Sequence, residues 1–320
     1  MQAIRIHFTD DNDKLVLEEI ETPSPGNGQV LIRNRAIGLN RADLYRQRTV
    51  EIGQQEPPRI PGRDIAGYIE SIGPGVTNFR TGDPVMALVK GGYAEFSVSN
   101  ASTVYPIPTG MSMEAASSIP CVFLTAWYAF QMADLKLGET ALIHAAGSGV
   151  GMAGIQIAKA MGAHVLTSAG SDDRVAKGCQ LGAYAGINYS NQDVEKELYT
   201  LTNGKGVDMT LDTVGGTIFD ATLKSLGAGG RIVTVGGHTG PRSPYDERAL
   251  QMKDQWVRSI GVFREAQQDK DQVSWQHMKP WFDNGRLTTL VQEVIRWPFA
   301  EEAQQMLNDR RVFGKIVMSV

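Results

Sequence analysis

Cysteine is nearly absent: Cys121 and Cys179 are the only two in 320 residues. So few exclude a disulfide framework and fit a reducing compartment. Histidine is also scarce, and His7, His144, His164, His238 and His277 show no ligand spacing among themselves. Neither sign of charge dominates. The formal net charge is −4, and Lys and Arg are scattered rather than gathered in a stripe with aromatics, so no nucleic-acid surface is expected. No apolar run long enough to span a membrane occurs, and the opening MQAIRIHFTDDNDK lacks an apolar signal core. The sequence therefore reads as a cytoplasmic protein without membrane contact. There is no internal repeat and no low-complexity segment. With 42% hydrophobic and 21% charged residues the composition is that of an ordinary globular protein. Its length leaves room for two domains of roughly 100–200 residues each.

What is present is a strand, a glycine loop and a helix in succession. Residues 140–151, TALIHAAGSGVG, read as a buried apolar strand running into a glycine turn, with a helix over 152–161 behind it. That order holds a dinucleotide pyrophosphate. Glycines let the backbone approach the phosphates, and the bare N–H groups of the first helical turn face negative charge. Gly147, Ser148, Gly149 and Val150 are the candidate phosphate-binding residues. Downstream, HVLTSAG, a charged helix over 172–181, INY, GVDMTLDTVGG and GRIVTVGG continue an alternation of strand and helix. Such alternation implies a doubly wound parallel sheet with helices on both faces, here over 125–264.

The first 120 or so residues differ in texture. Short strand-like runs (QAIRIHF, KLVLEEI, QVLIRNRAI, AGYIESIG, PVMALV, YAEFSVS) are separated by Pro and Gly, which argues a β-rich, barrel-like module. A helical MSMEAASSI leads out of it. Beyond residue 263 the chain turns helical again (VSWQHMKPWFDNG) and finishes in GKIVMSV. That last strand needs a sheet partner, so residues 265–320 are expected to return and complete the module begun by 1–124.

Motifs along nearly the whole length, GQVLIRNRAIGLNRAD, IPGRDIAGYIESIGPGV, FRTGDPV, GGYAEF, LTAWYAF, LIHAAGSGVG, GAYAGINY, LDTVGG and GKIV, resemble the medium-chain dehydrogenase/reductase superfamily. The resemblance is to its zinc-independent quinone oxidoreductase branch, which includes zeta-crystallin. It implies a GroES-like catalytic domain, a Rossmann cofactor domain and an active site in the cleft between them.

Zinc-dependent members carry a cysteine near the segment that is Gly38-Leu39-Asn40 here, and Gly-His-Glu where this chain has Gly62-Arg63-Asp64. Both ligand types are missing. Cys121 sits close to where a third ligand would come, but a catalytic zinc needs about three protein ligands. Cys121 reads as a small buried thiol, and no metal is expected to carry the chemistry.

An NAD site usually places an acidic residue at the end of the second strand. Here that strand ends in Ser168, Ala169 and Gly170, with Ser168 a candidate cofactor contact. Relatives that use NADPH have Ser or Thr, then Lys or Arg three residues on, and a tyrosine after the next strand. Ser171, Arg174 and Tyr189 match, and Arg174 would take the 2′-phosphate in a charge-assisted bond. Asp172 and Asp173 fit the acidic first turn that a helix dipole favours.

Without a metal the acceptor must already be electrophilic, a quinone or a conjugated carbonyl that takes hydride directly from NADPH. The resemblance puts Asn40 and Thr125 beside the nicotinamide and makes Tyr45 a proton donor or cleft wall, with Asp43 bracing the loop. It lines the cofactor with Val214, Gly236, Gly237, His238 and Phe263, and brings Arg310 in from the C-terminal segment. The loop Gln47-Arg48-Thr49 and VEIGQQEPP departs from the family pattern, which leaves the substrate undefined. Alternatives are an alkenal, enone or enoyl-thioester reductase, or a non-catalytic crystallin-like protein binding NADPH or RNA. The resemblance also implies a homodimer, formed where strands around 230–236 and 259–263 lie near a sheet edge.

Overall fold

A computed structural model describes residues 1–7, 13–44, 59–236 and 244–320. The chain divides into two compact units, one of Met1–Cys121, Ala266–Asp283 and Thr288–Val320, the other of Val122–Glu265 and Asn284–Leu287.

The first unit opens with an antiparallel pair, β1 (Gln2–His7) and β2 (Lys14–Glu19). It continues with β3 (Gln29–Gly38), β4 (Asp64–Ile72), β5 (Pro84–Leu88), β6 (Phe96–Asn100), β7 (Val104–Pro106) and the short helix α1 (Met113–Ala116). In β3 the side chains alternate: Ile32, Asn34 and Ala36 are buried while Arg33 and Arg35 are exposed. The period of two is that of a strand with one face on the core. Asn34 is tolerated inside because its Nδ2 donates to the Ala94 carbonyl at 2.8 Å and to Ser97 Oγ at 2.9 Å.

The second unit begins in α2 (Pro120–Ala133), a continuous helix that carries Thr125. The Rossmann alternation follows: β8 (Thr140–Ile143), α3 (Gly149–Ala160), β9 (His164–Ala169), α4 (Asp172–Leu181), β10 (Ala185–Asn188), α5 (Val194–Leu201), β11 (Val207–Asp212), α6 (Gly216–Lys224), β12 (Leu226–Thr234), α7 (Glu247–Met252), β13 (Trp256–Ser259) and α8 (Val262–Gln268). The six strands are parallel in the order β10-β9-β8-β11-β12-β13. Parallel pairing brings all their carboxyl ends to one edge. The order reverses between β8 and β11, and such a switch point opens the crevice where nucleotides bind in sheets of this kind.

The chain then returns to the first unit through α9 (Val273–Asp283), β14 (Val291–Arg296), α10 (Ala300–Asn308) and β15 (Lys315–Ser319). As its apolar pattern demands, β15 finds partners, lying between β14 and β3 in a seven-stranded sheet of order β14-β15-β3-β4-β5-β7, with β6 also paired to β3. Ile316 and Met318 join Ile32, Ile37, Ile65 and Val85 in the core of that sheet.

Two expectations need correction. The helix behind the glycine loop starts at Gly149, not at residue 152, because Ser148 caps it and draws Gly149 and Gly151 into the first turn. Residues 259–263 are not one strand: β13 ends at Ser259 and Val262 already opens α8, while 230–234 lie in β12, one strand in from the edge. Among the described residues no helix is long and apolar enough to cross a membrane.

Candidate active site

The carboxyl edge of the parallel sheet is built from the loop after β8. Gly151 sits so close to that loop that a Cβ would overlap the Ala145 carbonyl oxygen and come within 2.8 Å of its carbon. Only glycine permits the approach. Ser148 Oγ accepts the Gly151 N–H at 2.9 Å and the Ser148 carbonyl accepts that of Met152 at 2.8 Å. The amides of Gly149 and Val150 keep no acceptor among the described residues, so the positive end of α3 is open to an anion.

Ser168 ends up inside the sheet. It is fully buried, with Oγ 2.6 Å from His144 Nδ1, while His144 Nε2 lies 2.9 Å from Thr222 Oγ1. Thr222 already donates to the Ile218 carbonyl, so Nε2 carries the proton and Nδ1 accepts from Ser168. Burial pushes the imidazole below its usual range, against the pull of Asp212, and keeps it neutral. The Ser168 hydroxyl is thereby committed to the sheet interior. Asp212 Oδ1 accepts from the amides of Val214 and Gly215 at 2.9 and 3.0 Å, which fixes the turn after β11, and Gly236 follows β12 with φ of 70°.

At the ends of β9 and β10 three predicted residues gather. Ser171 caps α4 by accepting the Arg174 N–H, which seats Arg174 in the first helical turn. The Tyr189 ring lies over Gly170, where a Cβ would meet it at 3.2 Å. Asp172 turns to Asn188 at 2.7 Å and Asp173 to Lys177 at 2.9 Å. Both acids thus serve the helix and the neighbouring strand end. Thr125 is buried on α2, and Phe263 is half-buried on α8.

The first unit holds the other polar group. Asn40 follows β3 and is 7% exposed. Its Nδ2 donates to Asp64 Oδ2 at 2.9 Å and to the Gly38 carbonyl at 3.3 Å, and Oδ1 accepts from Lys315 Nζ at 2.8 Å. Lys315 also reaches Asp64 Oδ2 at 3.2 Å, and the Cys121 N–H donates to Asp64 Oδ1 at 2.7 Å. Burial pushes the Asp64 carboxyl up, opposed first by Lys315. The Cys121 thiol is pushed up to about 12 by burial and then by Asp64, so it stays a neutral thiol. Gly38 is required here because a Cβ would run into the Ser117 carbonyl. Tyr45, Gly237, His238 and the loop that departs from the family pattern lie outside the described residues. Arg310 lies exposed after α10 with φ of 55°. The fold thus gathers Gly147–Val150, Val214 and Gly236 on one edge and leaves Asn40 and Arg310 in the other unit.

Asp43 braces the Asn40 turn, its Oδ2 accepting the Asn40 N–H at 2.8 Å. Burial raises its carboxyl from 3.8 to about 7, against Arg63 and that hydrogen bond. A raised folded-state pKa means that the folded chain holds the proton more tightly than the unfolded chain between these two values. The resulting stability is fully present below the lower value and lost as pH rises through the upper one. Asp43→Asn should remove this trend. The melting temperature of wild type minus that of the variant should fall by roughly 5–10 °C between pH 4 and 7 and flatten above. Parallel profiles would contradict the assignment.

Lys315 and Asp64 were not anticipated, nor was the role of His144. The one local signal was a lysine heading an otherwise apolar strand in GKIVMSV.

Comparison with known proteins places these features. The model of the zinc-binding dehydrogenase family matches residues 149–279, and that of the alcohol dehydrogenase GroES-like domain matches 26–109. A quinone oxidoreductase of Pseudomonas aeruginosa is 34% identical over 99% of both chains. One from Rattus norvegicus is 35% identical over 74% of this chain and 73% of its own. A mycobacterial structure complexed with NADPH superposes with a TM-score of 0.90 at 28% identity, covering 100% of both chains. A relative matched from end to end, beside the two family models, settles the assignment: the chain belongs to the medium-chain dehydrogenase/reductase superfamily, in its quinone oxidoreductase branch.

Proposed function

We propose that this oxidoreductase uses NADPH to reduce a quinone or another conjugated carbonyl, without a catalytic metal. The observation that carries the reading is the row of anion-directed groups along the carboxyl edge of the parallel sheet. The open amides of Gly149 and Val150 fit a pyrophosphate, and Ser171, Arg174 and Tyr189 stand at the strand ends beyond. No acid ends β9, which favours a 2′-phosphate over a bare ribose hydroxyl. The NADPH bound in the mycobacterial relative supports the same choice.

Metal independence is supported by the donors around Asp64. Where zinc-dependent members carry a thiolate and an imidazole, this chain has Gly38-Leu39-Asn40 and Arg63, and the Asp64 carboxylate is already paired with the Asn40 amide and the Lys315 ammonium. Such a set neutralises itself and offers a cation little. When bound, NADPH supplies a hydride from C4 of its nicotinamide. The protein's part is then to hold the cofactor, exclude water and present Asn40 to the reacting end, with Thr125 a second polar wall. A conjugated acceptor needs no Lewis acid, because its own oxygen takes the developing charge.

A panel of ortho- and para-quinones, short enones, alkenals, enoyl thioesters and unactivated ketones, followed by NADPH oxidation, tests this. Turnover is expected with the conjugated acceptors and not with simple ketones. Reduction of simple ketones at comparable rates would refute it. The same reading includes a homodimer. β13 pairs only with β12 among the described strands, so its outer edge is open to a second copy. Light scattering should give twice the monomer mass, and 34.8 kDa alone would count against the dimer.

A further inference from the structure

We propose that Lys315 is a positioning residue for Asn40, and that Asn40 meets its ligand as a hydrogen-bond acceptor. This rests on the reading that Asn40 faces the reacting end of the cofactor.

A carboxamide has two N–H donors and one oxygen with two lone pairs. Both donors of Asn40 are committed, to Asp64 Oδ2 at 2.9 Å and to the Gly38 carbonyl at 3.3 Å. One lone pair of Oδ1 takes the Lys315 ammonium at 2.8 Å, and one lone pair is left. Turning the amide over would set its NH₂ against the ammonium and its oxygen against the Asp64 carboxylate, two repulsions at once. The buried charges therefore fix which end of the amide is which.

The Lys315 and Asp64 side chains are 3% and 0% exposed, so water screens little of this field. Strand pairing holds the lysine in place. Val317 of β15 stands opposite Gly38 at the end of β3, two residues before Asn40. Asp43 and Arg63 are the other charged groups of this cluster, and Asp43 holds the backbone N–H of Asn40 rather than its amide.

The remaining lone pair selects a donor. A quinone carries none, so the partner belongs to the nicotinamide end of the cofactor, a ribose hydroxyl or the carboxamide N–H. Asn40 accordingly orients the hydride donor and does not stabilise an oxyanion. Lys315 acts through it.

A double-mutant cycle in Asn40→Ala and Lys315→Met tests the proposal, with NADPH affinity read by fluorescence titration and turnover measured with para-benzoquinone. Each single change should slow turnover about tenfold and weaken NADPH to a similar degree. The double variant should be no worse than Asn40→Ala alone. Independent effects, multiplying to about a hundredfold, would overturn the role of Lys315 and leave Asn40 in the site. Unchanged turnover and affinity in Asn40→Ala would remove both.

Lys315→Met strands a buried carboxylate. The cycle is therefore repeated with Asp64→Asn/Lys315→Met, which removes both charges and keeps the volume. If Lys315 served only to neutralise Asp64, this pair would recover wild-type turnover along with stability. We expect recovery of the melting temperature with turnover still slowed about tenfold.

Discussion

Gly151→Ala should weaken NADPH binding by about a hundredfold. The added Cβ would meet the Ala145 carbonyl, which belongs to the backbone of the phosphate loop and has nowhere to go. Helix α3 must then lift from the loop, and its open amides at Gly149 and Val150 move with it. Hydrogen bonds from these amides to a charged phosphate contribute roughly 1.5–3 kcal/mol, so their loss weakens binding by about a hundredfold. Gly154→Ala is the control, one turn further along the same helix. There the Cβ would meet methyl groups of Leu211 and Ile143 at 2.9 and 3.1 Å, side chains that can give way. It should lower the melting temperature, at a cost of about 1–3 kcal/mol for overpacking, and leave NADPH affinity within a few fold. Fluorescence titration and thermal melts of both variants separate the two effects. Equal affinities in Gly151→Ala and wild type would mean that the α3 amides do not hold the phosphates.

Arg174→Ala should weaken NADPH by about tenfold to a hundredfold, since a hydrogen bond between charged groups contributes roughly 1.5–3 kcal/mol. NADH, lacking the 2′-phosphate, should bind almost as before. The preference for NADPH would thus collapse without loss of the site. Ser171 sets this arginine by capping α4, so Ser171→Ala should act in the same direction and more weakly, through a frayed first turn. Tyr189→Phe should also act more weakly, because the ring against Gly170 survives the loss of its hydroxyl. Isothermal titration of both cofactors against each variant measures the difference. A wild-type protein that binds NADH as tightly as NADPH would contradict the assignment of all three residues.

Much of this site follows from residues close together in the chain. The loop AAGSGVG, the capped start of α4 and the tyrosine after β10 are local patterns, and local hydrogen bonds set their geometry. The return of the C-terminal strand was legible for a different reason: an apolar strand such as GKIVMSV cannot remain unpaired. The start of α3 was misplaced because glycines read as turn, whereas the Ser148 cap makes them helical. Strand β14 escaped notice although VQEVIR alternates cleanly in burial, since its partner β15 lies beyond an intervening helix. The Asn40 network was illegible for a related reason. Its lysine stands 275 residues from its asparagine, and only the closing of β15 on β3 brings them together. At the end of β9 the Ser168 hydroxyl faces His144 within the sheet, a pairing of residues 24 apart that no local pattern announces.

The most direct test of the account is turnover in chelator-treated protein, with zinc content and NADPH-dependent reduction of para-benzoquinone measured on the same sample. If Asn40, Asp64 and Lys315 form a self-neutralised network and the acceptor supplies its own electrophilicity, activity should be undiminished with far less than one zinc per chain. Activity that falls in proportion to zinc removed, and returns when zinc is added back, would contradict it.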